Sequence, residues 1–382
     1  VTTVLDLLPV PAGGQVLGLL PRLESVLAGG VPALAPVPAD DARETRRLAD
    51  ALRPGEEVDE SVALVVATSG TTGVPKGALL TAAALRASGE ATHARLGGTG
   101  SWLLALPAHH IAGVQVLLRS VLAGTEPVVV DVATGFDPST LPNAVAAMSG
   151  PRRYTSLVPT QLVKALEHPE AVAALADLDA VLLGGAATPA PVLARATNAG
   201  ITVVRTYGMS ETCGGCVYDG IPLGGARVRI DDDGRVLLGG AMLASGYRGL
   251  PDHPAFAEPG WFRTDDAGTL TDGVLAITGR LDEAVSTGGL TVVPQVVEAA
   301  LAGHPGIAEC AVFGVPDPRL GHRVVVAVVP AGPQPPDLES IREFACRTVD
   351  ATAAPREVHI VDRLPLRGPG KVDRAALRDA LG

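Results

Sequence analysis

Up to about residue 300 the chain alternates two patterns. Short runs rich in Val, Leu and Ile predict strands over 62–67, 102–106, 127–131, 155–158, 180–183 and 201–206. Between them lie Ala/Leu-rich stretches with polar residues at helical spacing, such as 160–167 and 189–199. Strands alternating with amphipathic helices predict an α/β layered domain. From 220 to 279 the pattern shifts to Gly, Asp and short Val/Leu runs, which suits a small twisted β region. After 279 it changes again. A loop is expected over 286–289, helices over 294–302 and 338–349, and strands over 309–315, 323–329 and 356–361. That is a compact α+β unit of about a hundred residues. The expected organisation is a large domain over 1–281 and a small one over 282–382, with the Pro-rich stretch 330–336 a loop inside the latter. No internal repeat is visible.

Composition narrows the partners. The 382 residues are 47% hydrophobic and 19% charged, enough for large cores in two domains. The formal net charge of −11 argues against a nucleic-acid groove or stable insertion at an anionic membrane surface. With 3% aromatic residues, stacking platforms for single strands are scarce. The start of the chain has an acidic residue and no basic leader region. The stretch 96–118 lacks Asp, Glu, Lys and Arg, but its glycines, Pro107, His109, His110 and Gln115 favour a buried strand-turn-helix over a membrane span. Cys213 and Cys216 form a C-x-x-C, with Cys310 and Cys346 too scattered to complete a zinc site. Gly214 and Gly215 between them suggest a turn, so structural thiols in a reducing cytoplasm are expected, with a redox pair as the alternative.

The strongest chemical signal is ATSGTTGVPKG over 67–77, directly after a hydrophobic strand. Its glycines let backbone amides approach phosphate oxygens. Thr68, Ser69, Gly70, Thr71 and Thr72 offer hydroxyl and amide donors, and Lys76 offers charge. A Walker loop would need Gly before the lysine and Ser or Thr after it, and Lys76 has Pro75 and Gly77.

This segment resembles the signature loop of the adenylate-forming superfamily, which includes acyl-CoA synthetases, peptide-synthetase adenylation domains and luciferases. Further segments resembling that family's motifs follow in order. Gly184, Gly185 and Ala186 follow a strand and resemble the segment beside the adenine. TYGMSET over 206–212 resembles the family's Tyr-Gly motif: Tyr207 would offer a face to adenine, Gly208 and Ser210 line the nucleotide, and Glu211 with Thr72 would hold Mg²⁺. Asp266 takes the place of the ribose-chelating aspartate, while Asp265 replaces a usual glycine. Arg280 would contact ribose or phosphate, and Asp282 would be the hinge of domain rotation. Gly288 and Gly289 resemble the loop that faces CoA. Lys371, between glycines and a short helix, resembles the C-terminal catalytic lysine.

The resemblance implies a large α/β domain with a small, mobile lid, ATP and Mg²⁺ as cofactors, and CoA as co-substrate. The acid attacks the α-phosphate of ATP, and a thiol then displaces AMP. Lys371, Glu211 and His110 are the expected catalytic residues. The chain is short for this family, as if its N-terminus were trimmed. LPAHHIAG over 106–113, the 207–212 motif with Met209, and CGGCVYDG over 213–220 resemble the short members that activate an aromatic dicarboxylic acid. His110, Gly208 and Met209 would border the reacting carboxylate. Arg119 interrupts an apolar helix, with Gln115 four residues earlier on the same face. They are candidates for the second carboxylate, unless Arg119 reaches solvent at the helix end. Another acid, a carrier-protein acceptor and a silent nucleotide-binding homologue remain alternatives, as does a homodimer, since many relatives self-associate.

Overall fold

The structure is a computed structural model that describes residues 2–68, 75–367 and 371–382. Ser69, Gly70, Thr71 and Thr72 of the expected phosphate loop lie outside the described residues, as does the side chain of Lys371. By internal contacts the chain forms two compact units. One comprises 1–229, 237–263 and 272–275; the other comprises 230–236, 264–271 and 276–382. The expected boundary at 281/282 falls inside the second.

The first unit contains a sheet in the order Ile221–Pro222, Gly214–Tyr218, Val203–Met209, Ala180–Leu183, Arg153–Leu157, Ser101–Leu104 and Val128–Val129. The last five of these run parallel. Leu103, Leu157, Val181 and Leu183 enter a core closed by Leu141, Leu162 and Leu175 from the flanking helices. Burial on both faces explains why these strands read as unbroken hydrophobic runs. Their carboxyl ends share one edge, so Leu106–His110, Gly184–Ala186 and Ser210–Thr212 all leave the sheet there. That is where open α/β sheets bind ligands.

A second sheet has the order Asp6–Val10, Leu34–Pro38, Val62–Ala67, Gly77–Thr81. Its first two strands escape the hydrophobic pattern because Pro9, Pro36 and Pro38 interrupt it. Its last pair is antiparallel, with Ala67 opposite Gly77. The expected phosphate loop lies in sequence between these two strands.

The expected strand-turn-helix over 96–118 is the strand Ser101–Leu104 and the helix Ile111–Ala123. Among the described residues no helix is long and apolar enough to cross a membrane. Gly113 lets the first turn of the helix lie against the preceding chain: a Cβ there would stand 2.4 Å from the Pro107 carbonyl oxygen.

In the second unit Gly321–Pro330 pairs with Ile307–Asp317, Val285–Thr287 and Glu357–Ile360. Val324, Val326 and Val328 pack with Leu301 and Ile341, while Val325 and Ala327 pack on the other face with Phe313 and Leu377. The loop expected at 286–289 is instead a hairpin. Val285–Thr287 pairs with Leu290–Val292, and Gly288 and Gly289 turn at φ 57° and 84°. Two β-branched triplets are too short to register as strands in a hydrophobic pattern, but left-handed glycines permit the turn. The helix expected over 338–349 stops at Ala345.

Gly113→Ala should lower unfolding stability by about 1–3 kcal/mol, because the new methyl meets backbone that cannot step aside. Chemical denaturation measures it; an unchanged midpoint would show that the helix can shift freely.

Candidate active site

Lys76 directly precedes the strand Gly77–Thr81. The Thr68 N–H donates to its carbonyl at 2.8 Å. Its ammonium lies 3.2 Å from His253 Nε2 and 5.1 Å above the ring of Tyr247. The Tyr247 hydroxyl donates to Glu211 Oε1 at 2.5 Å. Glu211 is buried in the turn Ser210–Thr212, whose Ser210 hydroxyl donates to the Ala67 carbonyl at 3.4 Å. The expected phosphate lysine and cation ligand are thus joined through one tyrosine. Tyr247 and His253 were not among the sequence candidates.

Gly184 follows the strand Ala180–Leu183, and a Cβ on it would lie 2.2 Å from the Thr206 hydroxyl. Tyr207 and Met209 are half-buried on Val203–Met209, and the ladder with Gly214–Tyr218 slips between Tyr207 and Gly208. A Cβ at Gly208 would stand 2.1 Å from the Gly214 carbonyl oxygen, so only glycine allows the two strands this close.

His110 is exposed at the start of the helix Ile111–Ala123, its ring 4.2 Å from that of His109. One turn on, Gln115 is fully buried and donates through Nε2 to the Cys213 carbonyl at 2.7 Å, while its Oε1 has no partner. Another turn on, Arg119 is 3% exposed, which removes the alternative that it reaches solvent. Its guanidinium stacks 5.0 Å from the Trp102 ring, and its Nε has no hydrogen-bond partner. The Trp102 indole N–H donates to His93 Nε2 at 3.2 Å. Burial, assisted by the Arg119 charge, depresses His93 to about 4, so it is neutral. Thr92 and Tyr218 share a hydroxyl hydrogen bond at 3.0 Å. Among the described residues Arg119 therefore has neutral company and no carboxylate. Burial pushes its own pKa down, opposed by Tyr218.

Cys213 and Cys216 are both buried, and burial drives both thiols up, Cys216 to about 12. They are inert packing groups. Among the described residues no cluster of three His, Cys, Asp or Glu could hold a metal.

In the second unit Arg280 is the organising cation. It donates to both oxygens of Asp282, at 2.8 and 2.7 Å, and to Asp266 Oδ1 at 3.2 Å. Burial works against its charge, but Asp282, Asp266 and Asp265 outweigh it and raise its pKa. Asp265, unexplained by sequence, pairs with Arg235 at 3.2 Å and accepts from the Leu281 N–H through its carbonyl at 2.7 Å. Lys371 lies in the two-residue strand Lys371–Val372, paired with Leu366–Arg367. The Asp373 N–H anchors this hairpin to the Pro365 carbonyl at 2.8 Å.

His93 sets a pH dependence. The unfolded imidazole takes a proton near 6.5 and the folded one only near 4. As pH falls through that window the unfolded chain binds the extra proton, so stability is lost, by up to about 3 kcal/mol for this residue. His93→Gln keeps an acceptor for the indole and should flatten that slope. Denaturation midpoints of both proteins across pH 4–7 test this, and parallel curves would refute it.

The AMP-binding enzyme family profile matches residues 16–248, and that of the AMP-binding enzyme C-terminal domain matches 296–371. The chain is 60% identical over 374 residues to a probable 2-succinylbenzoate–CoA ligase of Mycobacterium tuberculosis, covering 97% of each. Its fold matches ATP-bound MatB of Rhodopseudomonas palustris with a TM-score of 0.81 at 22% identity, covering 98% of this chain and 88% of the other. It also matches o-succinylbenzoate CoA synthetase of Bacillus subtilis in complex with its acyl-adenylate, with a TM-score of 0.76 at 24% identity over 99% and 88% of the two chains. The profile matches and the 60% identity show that the chain belongs to the AMP-binding enzyme family of adenylate-forming enzymes.

Proposed function

We propose that this chain joins 2-succinylbenzoate to CoA through an acyl-adenylate, an AMP-forming step of menaquinone biosynthesis. The single observation that carries the choice of acid is Arg119, a buried guanidinium with no carboxylate partner among the described residues, two helical turns beyond His110. A buried unpaired charge costs several kcal/mol, so the site favours a ligand that brings the missing anion. 2-Succinylbenzoate carries two carboxylates. One would react beside His110, Gly208 and Met209; the other would meet Arg119 and Gln115. The identity to the Mycobacterium tuberculosis protein supports the same reading.

The chemistry follows from charge. A carboxylate must attack the α-phosphate while pyrophosphate leaves, so the protein's task is alignment and neutralisation. Thr68, Lys76 and the loop between them would cradle the phosphates. Adenine would lie against Tyr207, near Gly184, Gly185, Ala186 and Ser210. Asp266 would accept from the ribose hydroxyls, with Arg280 beside it. A single buried carboxylate suits Mg²⁺, which binds one or two protein carboxylates and otherwise phosphate oxygens and water; Glu211, with Thr72, would hold it, and when bound it would neutralise phosphate charge. Lys371 would bridge the α-phosphate and the attacking carboxylate. Rotation about Asp282 would then exchange Lys371 for the Gly288–Gly289 turn, admitting the CoA thiol to the acyl carbon.

AMP and thioester formation with Mg-ATP, CoA and 2-succinylbenzoate, beside benzoate and a medium-chain fatty acid, tests the proposal. Lys371→Ala should abolish adenylation. Arg119→Met should raise KM for 2-succinylbenzoate roughly 30-fold or more, with KM for ATP little changed. Preference for a monocarboxylic acid would overturn the assignment of the acid, and absence of any adenylation would overturn the ligase reading.

A further inference from the structure

Tyr247 lies outside every motif that the sequence marks, yet it touches both groups assigned to the triphosphate. Its hydroxyl holds Glu211 Oε1 at 2.5 Å, and its ring face carries the Lys76 ammonium at 5.1 Å. The ring itself is gripped edge-on by His253 at 4.7 Å and Phe256 at 5.2 Å.

The backbone makes the same connection. The Leu79 N–H donates to the Gly246 carbonyl at 3.0 Å, the Ser245 N–H to Leu79 at 2.9 Å, and the Arg248 N–H to Gly77 at 2.8 Å. Residues 245–248 thus run beside Gly77–Thr81, the strand that begins next to Lys76. The Ala244 N–H donates to the Glu211 carbonyl at 2.8 Å. The Arg248 guanidinium then ties the segment to the carbonyls of Leu52 and Arg53, at 3.1 and 3.2 Å, and to that of Glu57. One short segment therefore fixes the main chain on both sides of the phosphate site and fills the space between with one phenol.

We infer that Tyr247 is a positioning residue with two separable tasks. Its hydroxyl occupies one oxygen of Glu211 and holds the carboxylate in a single orientation with the other oxygen directed to the cation. Its ring seats Lys76 for the phosphates. Partners that orient a metal-binding carboxylate typically change metal affinity 10–100-fold when removed. Cation–π seating contributes about 0.5–2 kcal/mol. The inference rests on the proposed roles of Glu211 and Lys76.

The experiment is ATP binding by calorimetry, first in EDTA and then across a Mg²⁺ titration, on wild type, Tyr247→Phe, Tyr247→Leu and Glu211→Gln. Tyr247→Phe keeps the ring and its packing. It should leave metal-free ATP affinity within about 2-fold while raising the Mg²⁺ concentration for half-maximal enhancement about 10-fold. Tyr247→Leu should lose metal-free affinity as well, by roughly 2–10-fold. A Mg²⁺ shift in Glu211→Gln with none in Tyr247→Phe would overturn the positioning role alone. No shift in either would overturn the assignment of Glu211 and the inference with it. Equal losses in EDTA and in Mg²⁺ for Tyr247→Phe would show a merely structural tyrosine.

Discussion

The constraint on which the site depends is that five parallel strands of one sheet end at the same edge. Four of them cannot turn straight back and are followed by a segment that leaves the sheet; the fifth, Val203–Met209, turns at Ser210–Thr212 into the antiparallel strand Gly214–Tyr218. In this chain those segments are the ones with unusual chemistry. His110 follows Ser101–Leu104, Gly184 follows Ala180–Leu183, and Glu211 follows Val203–Met209. The strands themselves carry mostly Val, Leu and Ala into the core, together with Trp102, Tyr154 and Thr155. Position along the edge decides which part of a ligand each segment can meet, and the glycines at 184 and 208 decide how closely backbone can approach.

Beneath that edge the helix Ile111–Ala123 turns a packing element into a charge problem. Val114, Val116, Leu117 and Leu118 are buried on it, yet Gln115 and Arg119 are buried with them. A stacked Trp102 partly compensates the guanidinium through its π face. A neutral His93 adds no charge of its own, and Tyr218 supplies only a weak opposing influence. Evolution could have paired Arg119 with an Asp or Glu from the neighbouring helix Ala82–Arg95, but Ser88, Thr92 and His93 stand there instead. Among the described residues Arg119 is thus left among neutral groups.

Much of this was legible in the chain. The strand at 180–183 and the helix at Ile111–Ala123 were visible because both faces or one clear face are apolar. Glu211 was marked by resemblance to a family motif, and Lys76 by the glycine- and hydroxyl-rich stretch that it closes. What stayed hidden was hidden for physical reasons. The N-terminal strands carry prolines that break the pattern. The Val285–Thr287 and Leu290–Val292 strands are shorter than a hydrophobic period can reveal. Asp265 looked like a departure, and only the fold brings Arg235 to it. Tyr247 was missed because its partners Lys76 and Glu211 are distant in sequence, and nothing local to Gly246-Tyr247 records a carboxylate waiting above it.

The second unit shows the inverse arrangement to Arg119. Arg280 sits among three aspartates, with Asp282 clamping it from two residues away and Asp266 and Asp265 completing the ring. Arg235 also pairs with Asp265, so two guanidinium groups hold the three carboxylates in place. Because the same Arg280 bonds to Asp282, any change of backbone at Asp282 must lengthen or rotate a bidentate ion pair that also orients Asp266. The residue proposed as hinge and the residue proposed to hold the ribose are thus mechanically linked through one side chain.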